Sequence, residues 1–376
     1  MSTPHCKATP VAAPEPLPRH AGAAPTSGGP VGQTCPVRLN TLRSALPASL
    51  VALTLVLAGC GSDETEPATD GADNSSAPEP DEPATWPLTG LEAKSGDSVE
   101  QDHPVIVTKI DNSSSSAPQI GIGSADLVVE ELVEGGTTRL AVFHYSKLPK
   151  DIGPVRSMRA SDIGIVSPAD AVIATSGAAG VTIDRINKAG ITFFGEGGPG
   201  FYRNSGRSAP YNLFTNLQEL AKATEDGKDA RPADYLPWGT AADLPEGVVA
   251  NTLSADFGSH VTNWTFEGGH YVNKNSNAAE GDRFQPDTVL VLRVEVVDAG
   301  YTDPAGNFVP ESKFTGGGTA QVFHAGRVIE AEWSKKDLGA PLVLSTADGE
   351  LTVPAGKVWI ELVPVDSAGG SVAFGK

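Results

Sequence analysis

Only one long apolar run occurs in this chain of 376 residues, at positions 46–57, and the last cysteine, Cys60, stands three residues beyond it. The other two cysteines, Cys6 and Cys35, precede the run. Whatever folds after Cys60 does so without a disulfide, a reactive thiol or a thiolate-held metal, and must rest on its apolar core.

A run of 12 residues is too short to cross a bilayer, which takes about 20, but it suits the apolar stretch of a secretory signal. Arg38 and Arg43 lie before it, and Leu57-Ala58-Gly59-Cys60 closes it. Small residues ahead of the cysteine admit a signal peptidase, and the sulfur can carry a diacylglycerol. A charged start, a short apolar core and a small-small-Cys ending rarely coincide by chance. Residues 37–59 are therefore read as a lipoprotein signal peptide and Cys60 as the lipidated residue. That reading puts the chain outside the cytoplasm, in the cell envelope, with the cell membrane as its first partner. Residues 1–36, rich in Pro, Ala and Gly, are read as an extension ahead of a translation start at Val37.

The net charge of −19 is unevenly spread. Residues 60–100 carry 1 basic and 11 acidic side chains, residues 101–210 carry 10 and 11, and residues 211–376 carry 12 and 23. The acidic, proline-containing stretch 60–85 cannot bury enough apolar surface to fold and is read as a disordered tether. An acidic exported chain is a poor candidate for nucleic acid. The middle stretch is the informative one, because six of the ten arginines after Cys60 fall between Arg139 and Arg207. Clustered arginines need partners, either carboxylates of the chain itself or an anionic ligand.

Periodicity predicts an α+β chain, with an N-terminal α/β domain over 86–225 holding a mixed sheet and a β-rich C-terminal domain over 250–376. A strand is expected at 104–110, and two more at 127–134 and 137–145, joined across Gly135-Gly136 as a hairpin. The register expected for that hairpin puts Glu130, Glu134 and Arg139 on one face. Strand 171–175, helix 181–189 and strand 191–194 read as a parallel crossover unit. Leu213, Leu217 and Leu220 at helical spacing predict a helix over 212–223. Beyond residue 250, strands are expected at 261–266, 288–297, 320–323, 328–333 and 358–363, with Gly316-Gly317-Gly318 and Asp348-Gly349 as breaks.

Several motifs in this order resemble the YerB-like lipoprotein family. They are Pro87-Leu88-Thr89-Gly90-Leu91, Ile110-Asp111-Asn112, Ala125-Asp126, the run from Glu130 to Arg139, Gly153-Pro154-Val155-Arg156-Ser157-Met158-Arg159, and Tyr202-Arg203 through Arg207 to Asn212. Later matches run from Gly316 to Trp333 and around Trp359. The resemblance implies an envelope lipoprotein with an N- and a C-terminal region of unknown function, and it implies no particular reaction. Tyr211 and Thr175-Ser176 stand where the resemblance leads one to expect histidine, so histidine-based catalysis is not expected.

The candidate binding site gathers Asp111, Asn112, Glu130, Glu131, Arg139, Arg156, Arg159, Arg203, Arg207 and Asn212. Arginine forks hold carboxylate or phosphate through two parallel bonds, and Ser176-Gly177-Ala178-Ala179-Gly180 opens a helix whose free N–H groups favour negative charge. The competing reading ties these arginines to Asp111, Asp126, Glu130, Glu131 and Glu134, leaving scaffolding. The expected partner is an anionic small molecule, a wall component or an envelope protein, bound without a cofactor. An alternative function is a carboxylate-dependent cell-envelope hydrolase using Asp111, Asp126, Glu130 and Glu131. The scattered histidines show no H-x-x-x-H or H-E-x-x-H spacing, so no metal is expected. Trp333, Trp359, Phe323 and Tyr271 read as core.

Overall fold

The computed structural model describes residues 84–224 and 231–376. The expected extension, signal peptide, Cys60 and nearly all of the tether lie outside these residues. Among the described residues, the short β-branched runs assemble into one mixed sheet of twelve strands. Its order is Gly349–Leu351, Val343–Thr346, Arg327–Lys335, Gly316–His324, Thr288–Val294, Val358–Pro364, Leu127–Leu132, Thr138–His144, Ile106–Asp111, Val172–Ala174 and Phe193–Phe194, with Val248–Val249 flanking Arg327–Lys335. The two sequence halves thus share the sheet. Strand Val358–Pro364 lies parallel both to Thr288–Val294 and to Leu127–Leu132.

Both faces of this sheet are covered, which is why its strands read as nearly unbroken apolar runs. Val107, Val129, Ala141, Phe143, Leu290 and Ile360 pack on one side. Ile110, Val128, Leu140, Val289 and Trp359 pack on the other, against Leu253, Trp264 and Tyr271. The last three belong to a four-stranded antiparallel sheet, ordered His270–Asn273, Val261–Glu267, Thr252–Asp256 and Ser371–Gly375. Trp333, Trp359, Phe323 and Tyr271 are all buried.

The hairpin across Gly135-Gly136 forms, both glycines taking positive φ, and so does the parallel pair Val172–Ala174 with Phe193–Phe194 on either side of helix Gly180–Lys188. Several expectations need correction. Arg139 pairs with Glu131 on one neighbour and with Asp111 on the other, whereas Glu130 pairs with Leu140 and Glu361. Paired residues share a face and successive residues alternate, so Glu130 lies on the face opposite Arg139. Residues 212–223 are not one helix. Leu213–Thr215 pairs as a strand with Phe201–Arg203, and the helix begins only after Asn216, whose Oδ1 accepts from the N–H groups of Gln218 and Glu219 at 3.0 and 3.2 Å. Finally, Gly316-Gly317-Gly318 continues a strand. A Cβ on Gly318 would sit 2.5 Å from the Arg293 carbonyl oxygen and 2.9 Å from Trp333 Nε1, so close neighbours demand the missing side chain.

One strand expected over 288–297 is two. Thr288–Val294 stays in the sheet, while Val296–Thr302 leaves it to form a separate hairpin with Phe308–Ser312. That hairpin stands beside the arginine-rich turn.

Candidate functional site

The turn 156–162 is anchored to the sheet by Lys109 twice. The Lys109 carbonyl accepts from the Arg156 N–H at 2.8 Å. Its ammonium, fully buried, lies 2.8 Å from Glu131 Oε1 and 2.6 Å from Asp162 Oδ1. The other Asp162 oxygen accepts from the Arg159 N–H at 2.7 Å. Thr175, also buried, ties the same turn to the glycine-containing loop. Its hydroxyl oxygen accepts from the N–H groups of Met158 at 3.0 Å and Gly177 at 3.1 Å.

This scaffold holds Arg139, Arg156 and Arg159 along a cleft of about 450 Å³, with Ser157, Ser176, Ala178 and Ala179 on one side and Tyr301, Asp303 and Val309 of the hairpin on the other. Helix Gly180–Lys188 starts there with no side-chain cap, so its first N–H groups lack intrahelical partners and carry the positive end of the helix dipole. Tyr301 is fixed by a 2.9 Å hydrogen bond between its hydroxyl and that of Thr182.

The three arginines differ in what they already hold. Arg159 grips Glu134 with Nε at 2.8 Å and with Nη2. Burial opposes ionisation of Glu134, but the Arg159 bonds and charge outweigh it and hold the carboxyl below its usual range. Arg156 pairs through Nε with Asp111 Oδ2 at 2.9 Å and stacks over Tyr211. Arg139 has no carboxylate within ion-pair distance among the described residues. It is 4% exposed, its Nη1 donates to the Ser157 carbonyl at 2.8 Å, and its Nε has no hydrogen-bond partner. Burial and then neighbouring Arg159 pull its guanidinium down to about 10, so it stays charged at neutral pH.

The remaining expected site residues lie elsewhere. Glu131 is beneath the cleft, bound to Lys109. Glu130 and Asn112 are on the opposite face of the sheet, joined at 2.9 Å. Arg203 is on the surface, bound to Glu196 and to Asn212 Oδ1 at 2.6 and 2.7 Å. Arg207 donates to the carbonyls of Ser116, Ala117 and Pro118 and stacks over Phe214. Asp126, an expected carboxylate of the hydrolase alternative, accepts from the N–H groups of Tyr145 and Ser146 at 2.7 and 2.9 Å.

On that opposite face lies a cluster absent from the sequence expectation. Glu130 Oε1 accepts from Thr138 at 2.6 Å and Thr262 at 3.0 Å, and lies 3.3 Å from His260 Nε2. Glu361, fully buried beside it, accepts from Trp264 Nε1 at 2.8 Å. Burial and then the charge of Glu130 push the Glu361 carboxyl well above its usual range, while its neighbours, led by His260 against the cost of burial, keep Glu130 below it. The pair thus favours a protonated Glu361 beside an ionised Glu130. The available signal was a lone acid inside an apolar strand, as in Val358-Trp359-Ile360-Glu361-Leu362. Lys109, a lone base inside Val105-Ile106-Val107-Thr108-Lys109-Ile110, is the corresponding signal for the cleft.

Comparison with known proteins agrees with this architecture. Residues 88–230 match the family model "Protein of unknown function (DUF3048) N-terminal domain" and residues 252–360 match its C-terminal domain. The chain is 26% identical over 302 residues to the Bacillus subtilis (strain 168) protein named "Putative lipoprotein YerB", covering 77% of this chain and 89% of that one. The crystal structure of YerB from Bacillus subtilis superposes with a TM-score of 0.64 at 21% identity, over 77% of this chain and 99% of that structure, which shows a common fold. Among the described residues, no helix is long and apolar enough to cross a membrane. With both halves matched in order, the chain belongs to the YerB-like family defined by the paired DUF3048 domains.

Proposed function

We propose that the chain is an envelope lipoprotein, anchored through Cys60, whose folded part binds an anionic ligand in the arginine cleft. The observation that carries the reading is Arg139, a buried guanidinium on the cleft wall whose partner is a carbonyl rather than a carboxylate. A buried charge of this kind is costly unless an opposite charge completes it. The uncapped helix start, the Ser157 and Ser176 hydroxyls and the already neutralised pairs Arg156–Asp111 and Arg159–Glu134 would frame the anion. Burial works against the Arg159 charge, but the bonds and charge from Glu134 outweigh it and raise the guanidinium above its ordinary value, so Arg159 stays ionised throughout the physiological range.

Isothermal titration with inorganic phosphate, pyrophosphate and small dicarboxylates tests the pocket. Arg139→Gln is expected to weaken the best of them by roughly 10- to 100-fold, the worth of a charged hydrogen bond, while Arg203→Ala at the surface pair leaves it unchanged. Absence of any binding that depends on Arg139 would remove the proposal. The anchor has its own test. Fatty-acid labelling is expected to mark the wild-type chain in the membrane fraction and to vanish in Cys60→Ser, and an unlabelled wild type would refute the anchor alone.

A further inference from the structure

The arginine cleft does not end at Glu134. A second, more open groove of about 480 Å³ begins there, and Glu134 and Val309 line both. Its lining is mostly apolar, with Leu132, Phe257, Val297, Phe308, Val309 and Pro310. Val297 and Phe308 are 39% and 72% exposed, an unusual state for two large apolar side chains on one hairpin. The carboxylates nearby are already occupied. Glu134 is held by two Arg159 nitrogens, Asp298 accepts from the Gly300 N–H at 2.9 Å, and Asp303 caps its own turn through Ala305 and Asn307. Among the described residues, no Lys or Arg lines the groove.

From this continuity of a cationic cleft with an apolar groove, we infer that the ligand is an amphipathic anion. Its phosphate or carboxylate head lies on Arg139 and its apolar arm runs past Glu134 along Val297 and Phe308. The inference rests on the anion reading of the cleft and adds the class of molecule. The geometry supports one ligand rather than two, because the shared wall is only the neutralised Glu134 and the apolar Val309, and each compartment alone is at the small end of ligand sites.

Titration with inorganic phosphate, n-butyl phosphate and n-octyl phosphate, below the micellar concentration, separates the two levels of the argument. If the arm is accommodated, affinity is expected to rise by about 4-fold for each methylene fully buried, so octyl phosphate, even with its arm partly buried, should bind at least tenfold tighter than butyl phosphate. Phe308→Ser should collapse that octyl-to-butyl ratio toward one, and Arg139→Lys should weaken all three probes together. Equal affinity for the three, each still dependent on Arg139, would overturn the amphipathic class and leave the anion site standing. A chain-length gain that survives Phe308→Ser would place the arm elsewhere and overturn it too. Binding by none of the probes would overturn the anion site and this inference with it.

Discussion

Lys109→Met is expected to lower the free energy of unfolding by about 3–5 kcal/mol, the usual consequence of removing one partner from a buried ion pair, and to lower Tm by roughly 10 °C. Methionine fills nearly the same volume, so the loss is electrostatic. Lys109, Glu131 and Asp162 are all fully buried, and without the ammonium two carboxyls face each other in a dry interior. Burial, reinforced by Asp162 and opposed by Lys109, already holds the Glu131 carboxyl above its usual range. The variant must either bury an unpaired charge or take up protons. Adding Glu131→Gln and Asp162→Asn should recover much of the loss, since all three groups then become neutral together. Because Asp162 also holds the Arg159 N–H, anion binding in the cleft should weaken more in the single variant than in the triple one. Thermal unfolding of the three proteins checks this, and a single variant that melts within two degrees of the wild type would show that the triad carries no net charge to compensate.

Glu130 and Glu361 are expected to respond in opposite directions. Glu130→Ala strands the donors of Asn112, Thr138 and Thr262 in a buried site, and an expected loss of about 3–5 kcal/mol follows. Glu361→Gln keeps a neutral side chain of the same shape beside Glu130 and removes only a titration. The native Glu361 carboxyl holds its proton above the pH at which the unfolded chain gives it up. The folded state therefore binds more protons in that window, and stability falls as pH rises through it. His260 acts in the same sense. Burial opposes its charge, but the Glu130 bond and charge raise it overall, so its contribution is present at acid pH and fades as the ring deprotonates. Glu130 and Glu134, both held low, lose theirs only on further acidification. The wild type should thus be most stable near roughly pH 5, and Glu361→Gln should raise Tm by a few degrees at pH 8 and flatten the slope between pH 5 and 8. A melting curve with the wild-type slope in that variant would refute the proton held on Glu361.

Much of the framework was legible in the sequence because local rules governed it. The absence of cysteine after Cys60 excluded disulfide and thiolate chemistry from the folded part outright. Gly135-Gly136 supplied the positive-φ turn that joins Leu127–Leu132 to Thr138–His144. Gly190 ended helix Gly180–Lys188 and returned the chain to a parallel neighbour. The crowding of arginine between Arg139 and Arg207 pointed to the right stretch of chain. It did not say which arginines meet, and the cleft gathers three of the expected five while Arg203 and Arg207 serve the surface and the main chain.

What the tertiary structure decided was pairing between distant strands. Alternation along a strand says that neighbours point to opposite faces, but a shift of one residue exchanges those faces. The register of Arg139 with Glu131 and Asp111 put it beside the arginine turn, and sent Glu130 to Glu361 on the far side. Likewise, nothing local announces that Val358–Pro364 inserts between the two halves of one sheet, or that the hairpin bearing Tyr301 and Phe308 stands over a turn some 150 positions earlier in the chain. Turns and strand propensity arise from backbone sterics within a few residues and can be read from them. The cleft and the acid pair arise from contacts whose sequence separation exceeds any local pattern, so only the folded chain brings them together.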